Sequence, residues 1–170
     1  TTLEELEKIW QDFNLSAVDG VVMGGVPHVD WVRQIGAEGE ETIPLVTILP
    51  SELAHGLLNV GMSDVEITRR ATGHLIERGC RNIAHICVRP GEVAWPLGDL
   101  RREGYLKALL EHQIPVRNEL IAEADHFDYA EGQKAIEALL ASGVAFDGVV
   151  AQSDNQILGA LNVLSAHGIR

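Results

Sequence analysis

The sequence contains few of the residues that support covalent or metal chemistry in a small protein. Two cysteines, Cys80 and Cys87, occur in 170 residues, and their spacing matches no common zinc motif. This usage is typical of buried thiols in a reducing compartment, and we expect neither a metal nor another cofactor. A metal site that joins these cysteines to His74 or His85 is the minor alternative. No apolar run reaches the roughly 18 residues that a membrane helix needs, so we expect no membrane partner.

Basic residues are scarce as well. Lys and Arg number 13 against 25 Asp and Glu, which gives a formal net charge of −12. Binding to the phosphate backbone of DNA rewards clusters of Lys and Arg, because neutralising the phosphates releases counterions. The longest basic runs here are two pairs, Arg69 with Arg70 and Arg101 with Arg102. We therefore expect no direct DNA contact from this chain, and a protein that acts on DNA would touch it through another segment.

Motifs of the common enzyme classes are missing too. The sequence has no G-x-G-x-x-G dinucleotide loop, no G-x-x-x-x-G-K-[ST] phosphate loop and no G-x-S-x-G nucleophile turn. The pair Gly24 and Gly25 is a weak phosphate-loop signal, and such a pair more often lets the chain turn. We predict that the chain is not an enzyme. A flavodoxin-like α/β enzyme stays open as an alternative, which would require an acid–base pair in a cleft.

What the sequence does contain is a regular alternation of apolar and amphipathic stretches. Runs typical of strands occupy residues 17–23, 44–49, 57–62, 82–88, 120–124 and 146–151. Helical patterns occupy residues 2–14, 28–37, 63–79 and 98–111, begin again at 128, and cover 153–168. This alternation predicts an α/β fold, with parallel sheets covered by helices on both faces. Ligands of such folds bind in the loops beyond the carboxyl ends of the strands.

Several side chains within these stretches have expected places. The helix over residues 63–79 should bury its apolar residues, which are Ile67, Ala71, Leu75 and Ile76. His74 in that helix and His85 in the next strand are predicted as hydrogen-bonded core residues. Trp95 lies in the loop after that strand. Its ring would either face a cleft and stack on the C–H face of a sugar or pack on its own loop.

A set of short segments is informative because of its order along the chain. The most specific is H-L-I-E-R-G-C-R-N-I-A-H-I at residues 74–86. The others are V-D-G-V-V-M-G (18–24), I-P-L-V (43–46), V-G-M-S-D (60–64), R-x-x-G-Y (101–105) and a box from S-D to L-G-A (153–160). Together they resemble the lactose-repressor (LacI/GalR) family of bacterial transcription regulators. V-G-M-S-D and the spacing before it most resemble the gluconate-repressor branch of that family.

The resemblance implies a fold and a place within it. It implies that the chain belongs to a two-lobed, periplasmic-binding-protein-like fold of type I, with parallel sheets and helices on both faces. By that likeness the chain is an incomplete portion of the fold. Residues 1–60 would form part of the N-terminal lobe and residues 61–170 most of the C-terminal lobe. The DNA-binding headpiece would be absent from the chain.

The resemblance also implies a function. The chain would sense a sugar or sugar-acid effector that binds between the lobes of a cytoplasmic homodimer. The bound effector would change the affinity for operator DNA, which the protein contacts through a headpiece outside this chain. A periplasmic sugar-binding protein of a transport system shares the fold and remains the alternative.

Individual site residues follow from the resemblance, position by position. Arg101 would hold ligand hydroxyls or a carboxylate through its rigid fork of donors. Phe127 stands where the family often stacks an aromatic ring on the ligand, and Asp154 would accept hydrogen bonds from ligand hydroxyls. Ser153 replaces the Asn of the family's box with a shorter polar group. The alternatives are a surface Arg, a core Phe and an Asp that caps a helix.

Overall fold

The computed structural model describes residues 2–12, 18–24, 29–39, 44–89 and 97–169. The elements in chain order are α1 (Leu3–Asp12), β1 (Val21–Gly24), α2 (Val29–Gly39), β2 (Leu45–Ile48), α3 (Asp64–Glu77), β3 (Ile83–Val88), α4 (Leu97–Glu111), a 3-10 turn (Asn118–Leu120), β4 (Ile121–Ala124), α5 (Tyr129–Ser142), β5 (Gly148–Ala151) and α6 (Asp154–Ala166). The chain divides into two compact units, residues 1–63 and 64–170, called here the N-terminal and C-terminal units. No helix within the ranges above is long and apolar enough to cross a membrane.

The N-terminal unit contains a parallel strand pair, β1 with β2. The strand predicted over residues 57–62 is wrong, because this segment makes a single isolated bridge, between Thr47 and Asn59. The Asn59 side chain makes the neighbouring bonds instead. Its Oδ1 accepts from the N–H of Leu49 at 3.0 Å, and its Nδ2 donates to the Leu49 carbonyl at 3.1 Å. A side-chain amide thus satisfies backbone groups that a third strand would otherwise pair.

The C-terminal unit is built on a three-stranded parallel sheet in the order β4-β3-β5. All residues of the central strand β3 are buried. Ala84 and Ile86 of β3 cluster with apolar residues of α5 and α6, whereas Ile83 clusters with residues of α3 and α4. Alternate residues of one strand therefore face two different helix layers, as the period of a strand requires. The predicted parallel sheet with helices on both faces is confirmed.

The buried face of α3 differs from the one that the apolar pattern predicts. Its buried residues are Asp64, Thr68, Thr72 and Ile76. The prediction is confirmed for Ile76 and wrong for Ile67 and Ala71, which are exposed, and His74 is exposed rather than in the core. Helix α3 is thus rotated relative to the prediction, with two threonines and an aspartate turned inward.

The cause is the close crossing of α3 with α4. A Cβ atom on Gly104 of α4 would lie 2.2 Å from the carbonyl oxygen of Val65. At such a distance the facing side chains must be short. The hydroxyls of Thr68 and Thr72 donate to carbonyls one turn back, at 3.2 and 2.8 Å, so both are buried without an unsatisfied donor.

Helices α5 and α6 also approach each other through glycine. A Cβ on Gly132 of α5 would lie 2.0 Å from the carbonyl oxygen of Gln156, and a Cβ on Gly159 of α6 would lie 2.1 Å from that of Tyr129. Each glycine therefore receives the backbone of the opposite helix. A larger residue at either position would push the two helices apart.

A substitution at this contact tests how tightly it is packed. Gly159→Ala should lower the free energy of unfolding by about 3 kcal/mol, because the new methyl group overlaps a backbone carbonyl. Gly73→Ala on α3 is the matched control, since its Cβ would meet nothing within 4 Å. That change should raise stability by up to about 1 kcal/mol through helix propensity. Urea-induced unfolding measures both, and a Gly159→Ala variant as stable as the parent would contradict the close contact.

His85 is a fully buried titratable residue in β3. Its ring stacks on that of Tyr105 with the centroids 4.5 Å apart, and its Nδ1 lies 3.2 Å from the carbonyl oxygen of Val150. Its Nε2 has no hydrogen-bond partner among the residues that the structure describes. Burial lowers the pKa of His85 from 6.5 to about 4, because the charged ring would lose its hydration. His85 is therefore a neutral core residue, and the prediction for it is confirmed.

This histidine makes the stability of the fold depend on pH. Its pKa is lower in the folded than in the unfolded state, so its contribution is complete above about pH 6.5 and is lost as the pH falls toward 4. The loss should amount to about 3 kcal/mol. His85→Leu removes the titration, so the parent should lose stability relative to this variant on acidification. Urea unfolding at a series of pH values checks this, and parallel curves for the two proteins would refute it.

Candidate functional site

The carboxyl ends of the three strands of the C-terminal sheet lie together, and the side of the sheet that they form is called here the edge. Val88 at the end of β3 pairs with Ala124 at the end of β4, and Ile86 pairs with Ala151 at the end of β5. From this edge the chain enters α4, α5 and α6, so the first turns of three helices follow it. Open parallel sheets bind their ligands at such an edge. It is therefore the place to look for a site in this unit.

Arg101 of α4 is anchored at this edge by two hydrogen bonds. Its Nε donates to Oδ1 of Asp64 at 2.5 Å, and its Nη1 donates to the carbonyl oxygen of Gln152 at 2.5 Å. Its Cζ lies 5.7 Å from the centroid of the Phe127 ring, within the range of a cation–π contact. Its Nη2 has no hydrogen-bond partner within the described ranges. The guanidinium is thus held in place with donors left for a ligand.

Two carboxylates order the loop that leads from β4 into α5. Asp128 caps α5 by accepting from the N–H of Glu131 at 2.9 Å. The Glu131 carboxylate accepts from the N–H of Asp125 at 2.8 Å and from Nζ of Lys134 at 2.6 Å. Both bonds lower the pKa of Glu131, the Asp125 N–H most strongly. Glu131 therefore stays ionised at neutral pH and holds the start of the loop.

Two polar residues at the start of α6 hold the rest of this loop. Ser153 caps α6 by accepting from the N–H of Gln156 at 3.1 Å, and its hydroxyl donates to the carbonyl of Phe127 at 2.7 Å. The buried Gln156 donates through Nε2 to the carbonyl of His126 at 2.9 Å. Phe127 is therefore fixed through its backbone beside Arg101, with its side chain partly exposed.

Sequence reasoning missed two buried glutamines that tie this edge together. Oε1 of Gln152 accepts from the N–H of Val88 at 2.9 Å, and its Nε2 donates to the carbonyl of Gly98 at 2.7 Å. Oε1 of Gln156 accepts from the N–H of Gln152 at 3.2 Å. Both amides are satisfied at both ends, as burial requires. The only signal in the sequence was an amide directly after a strand and another in the first turn of the next helix.

A cavity of about 790 Å³ runs along the outer edge of β5. The polar residues of its lining are Asp64, Thr68, Arg70, His74, Arg101, Gln152, Ser153 and Asp154. Its apolar lining includes Ile67, Ala71, Leu75, Val149 and Ile157, so the exposed apolar residues of α3 lie in this cavity. The polar lining combines hydrogen-bond donors with acceptors, as a ligand rich in hydroxyl groups requires.

The structure places four of the five predicted site residues at this edge. Arg101, Ser153 and Asp154 line the cavity, and Phe127 contacts Arg101 and Ser153. Trp95 lies outside the described residues. The roles of all five as ligand contacts stay predictions.

Neither cysteine is among the residues that line the cavity. Cys87 is buried, and burial raises the pKa of its thiol to about 11, so the thiol is neutral at physiological pH. Cys80 is half-buried, and its Sγ lies 3.1 Å from the carbonyl oxygen of Asp147. Across the described ranges no three His, Cys, Asp or Glu residues are grouped so that they would hold a metal ion.

Comparison with known proteins identifies the family. A family of periplasmic binding protein-like domains matches residues 72–170. The chain belongs to this family. The probable HTH-type transcriptional repressor ExuR of Bacillus subtilis is 31% identical over 154 residues, which are 89% of this chain and 44% of that repressor. The HTH-type transcriptional repressor PurR of Yersinia pestis is 38% identical over 97 residues, 57% of this chain and 27% of the repressor.

A solved structure extends the likeness to the fold. The complex of the transcriptional regulator CelR with cellobiose is 31% identical, with a TM-score of 0.71 over 98% of this chain and 49% of that chain. The chain spans less than half the length of each of these three proteins. The chain is similar to transcription regulators of the LacI type and forms a portion of the periplasmic-binding-protein-like fold. The predicted resemblance and fold class are confirmed.

The buried amides of the edge provide a test of its construction. Gln156→Leu should lower the free energy of unfolding by about 1–3 kcal/mol, because it removes both hydrogen bonds of a buried amide. Asn155→Leu is the matched control, since its side chain is exposed in the same helical turn. It should change stability by less than about 0.5 kcal/mol. Urea unfolding of both variants checks the difference, and equal effects would show that Gln156 does not tie the edge.

Proposed function

We propose that the chain is the effector-sensing core of a dimeric transcription regulator, and that its effector is a sugar or a sugar acid. The observation that carries the proposal is the convergence of a guanidinium, a hydroxyl, a carboxylate and an aromatic ring at one strand edge, in Arg101, Ser153, Asp154 and Phe127. A sugar needs both donors and acceptors for its hydroxyls and a ring face for its C–H groups. CelR, a relative, is bound to cellobiose, and ExuR and PurR are named as repressors.

Each residue has a distinct part in this proposal. Arg101 would donate from its unused nitrogen to ligand hydroxyls, or from two nitrogens to the carboxylate of a sugar acid. Asp154 is exposed in the first turn of α6 and would accept from ligand hydroxyls. The hydroxyl of Ser153 already donates its hydrogen bond to the Phe127 carbonyl. Toward the ligand, Ser153 would therefore act as an acceptor. The Phe127 ring would stack on the sugar, and Trp95 is a further candidate for this.

The regulatory step follows from two-state linkage. We assign residues 1–60 to part of the N-terminal lobe and residues 61–170 to most of the C-terminal lobe, with the effector between the lobes. Effector binding would shift an equilibrium between two lobe arrangements, to the extent that its affinity for the two differs. A headpiece outside this chain would bind operator DNA, which suits a chain with a net charge of −12 and no basic cluster. The proposal places the protein in the cytoplasm as a homodimer and includes no catalysis.

A thermal melt of the complete protein against neutral sugars, sugar acids and polyols tests the proposal. A compound present at a hundred times its dissociation constant should add about 2.7 kcal/mol to the stability of the folded state. The upward shift should disappear in Arg101→Ala and in Asp154→Ala, because each loses a ligand contact. The matched controls are Arg102→Ala and Asn155→Ala, which alter the neighbouring positions and should keep the shift.

The outcomes separate the parts of the proposal. A well-folded protein that no compound stabilises would refute the sugar effector. A shift that survives both Arg101→Ala and Asp154→Ala would place the effector at another site. Chemical conversion of the bound compound, followed by chromatography of the recovered ligand, would show an enzyme instead of a sensor.

A further inference from the structure

Asp64 lines the cavity of the candidate site but is largely covered by protein. Its side chain is 7% exposed, and its Oδ1 accepts from Nε of Arg101, whose side chain is 26% exposed. Asp64 is the first residue of α3, where the free N–H groups of the first turn favour a negative charge. A buried carboxylate is costly unless it is paired. Asp64 and Arg101 therefore hold each other in one arrangement.

We infer that Asp64 is a positioning residue, which fixes the direction in which Arg101 presents its remaining donors to the effector. The inference rests on the proposed role of Arg101 as a ligand contact. An arginine side chain has several rotatable bonds, so one contact does not orient it. Here Asp64 accepts from Nε, the Gln152 carbonyl accepts from Nη1, and Cζ lies over the Phe127 ring, 5.7 Å from its centroid. These contacts leave Nη2 for the ligand and orient it before the ligand arrives, which removes an ordering cost from binding.

A second arginine pair on the same helix shows what distinguishes Asp64. Arg69 pairs at 2.7 Å with Glu66, which lies two residues beyond Asp64 in α3, and at 2.8 Å with Glu111 of α4. The two carboxylates are 48% and 43% exposed, against 7% for Asp64. Exposed pairs of this kind are screened by water and hold their partners weakly. Asp64 and Glu66 thus carry the same charge in the same helical turn, and only Asp64 is enclosed with its arginine at the strand edge. Glu66 is therefore a matched control for Asp64.

The first experiment measures how firmly Arg101 is held, without any added sugar. The complete protein is treated with phenylglyoxal, which modifies guanidinium groups, and modification is followed by peptide mass mapping. Asp64→Asn should raise the rate at Arg101 several-fold and leave Arg69 unchanged, because an ion pair shields the guanidinium. Glu66→Gln should leave the rate at Arg101 unchanged and raise the rate at Arg69 only slightly, because this pair is exposed and Arg69 keeps its bond to Glu111. A general loosening of the fold would raise both rates, so the pattern separates positioning from structural damage.

The second experiment measures binding. Calorimetric titration uses D-gluconate, a sugar acid, and D-glucose, the neutral sugar from which it is formed by oxidation, on the parent and on the same variants. For whichever probe binds the parent, Asp64→Asn should weaken binding by about tenfold, a change of about 1.4 kcal/mol. Asp64→Glu keeps the charge but displaces the guanidinium, so it should weaken binding less while Arg101 stays shielded from phenylglyoxal. Glu66→Gln should bind as the parent does.

Each outcome decides something. An unchanged modification rate at Arg101 in Asp64→Asn overturns the inference, whether or not a probe binds. A faster rate with unchanged probe affinity also overturns it, because the pair would then exist without positioning the ligand contact. If Asp64→Asn does not fold, Asp64→Glu decides, and parent affinity in that variant overturns the inference. A parent that binds neither these probes nor any compound of the melt panel counts against the proposed function, while the modification rates still decide whether Asp64 holds Arg101.

Discussion

The burial of β3 is the constraint around which the C-terminal unit is arranged. All of its residues are buried, so the backbone groups within the strand must find partners inside the protein. Strands β4 and β5 supply those partners on its two sides, both in parallel. Parallel neighbours need connections that pass over a face of the sheet, and α3 to α6 occupy the two faces. The carboxyl ends of the strands then lie at one edge, and the candidate site lies there.

At that edge, side-chain groups make hydrogen bonds with backbone groups that have no partner on a neighbouring strand. The Val88 N–H at the end of β3 is satisfied by the Gln152 amide, which also reaches the start of α4 at Gly98. In the loop before α5, Ser153 and Gln156 donate to the backbone carbonyls of Phe127 and His126. The residues that would touch a ligand are therefore held in place by hydrogen bonds among their neighbours, several of which are buried. Rigidity of this kind comes from buried polar bonds with both ends satisfied, because in a medium of low dielectric a broken bond is expensive.

Sequence reasoning succeeded where the deciding interactions are local. The strand over residues 82–88 and the helices that begin near residues 128 and 153 were all visible as patterns of a few residues. It failed for the buried face of α3 and for residues 57–62. The face of α3 is set by Gly104 on another helix, and the pairing of residues 57–62 is set by the Asn59 side chain. The first cause lies on another helix, and the second is a long-range contact between a side-chain amide and the backbone of Leu49, which the apolar pattern does not record.

The sequence by itself determined the class of the fold, the order of its elements and the family, because alternating periods and short motifs are properties of neighbouring residues. It also indicated Arg101, Phe127, Ser153 and Asp154, through a resemblance carried by local segments. Only the tertiary structure decided which residues stand behind them. Asp64 is 37 positions from Arg101, and Gln152 is 51 positions from it. No pattern within one element records such contacts, because they come into being when helices cross at glycines and strands end at a common edge.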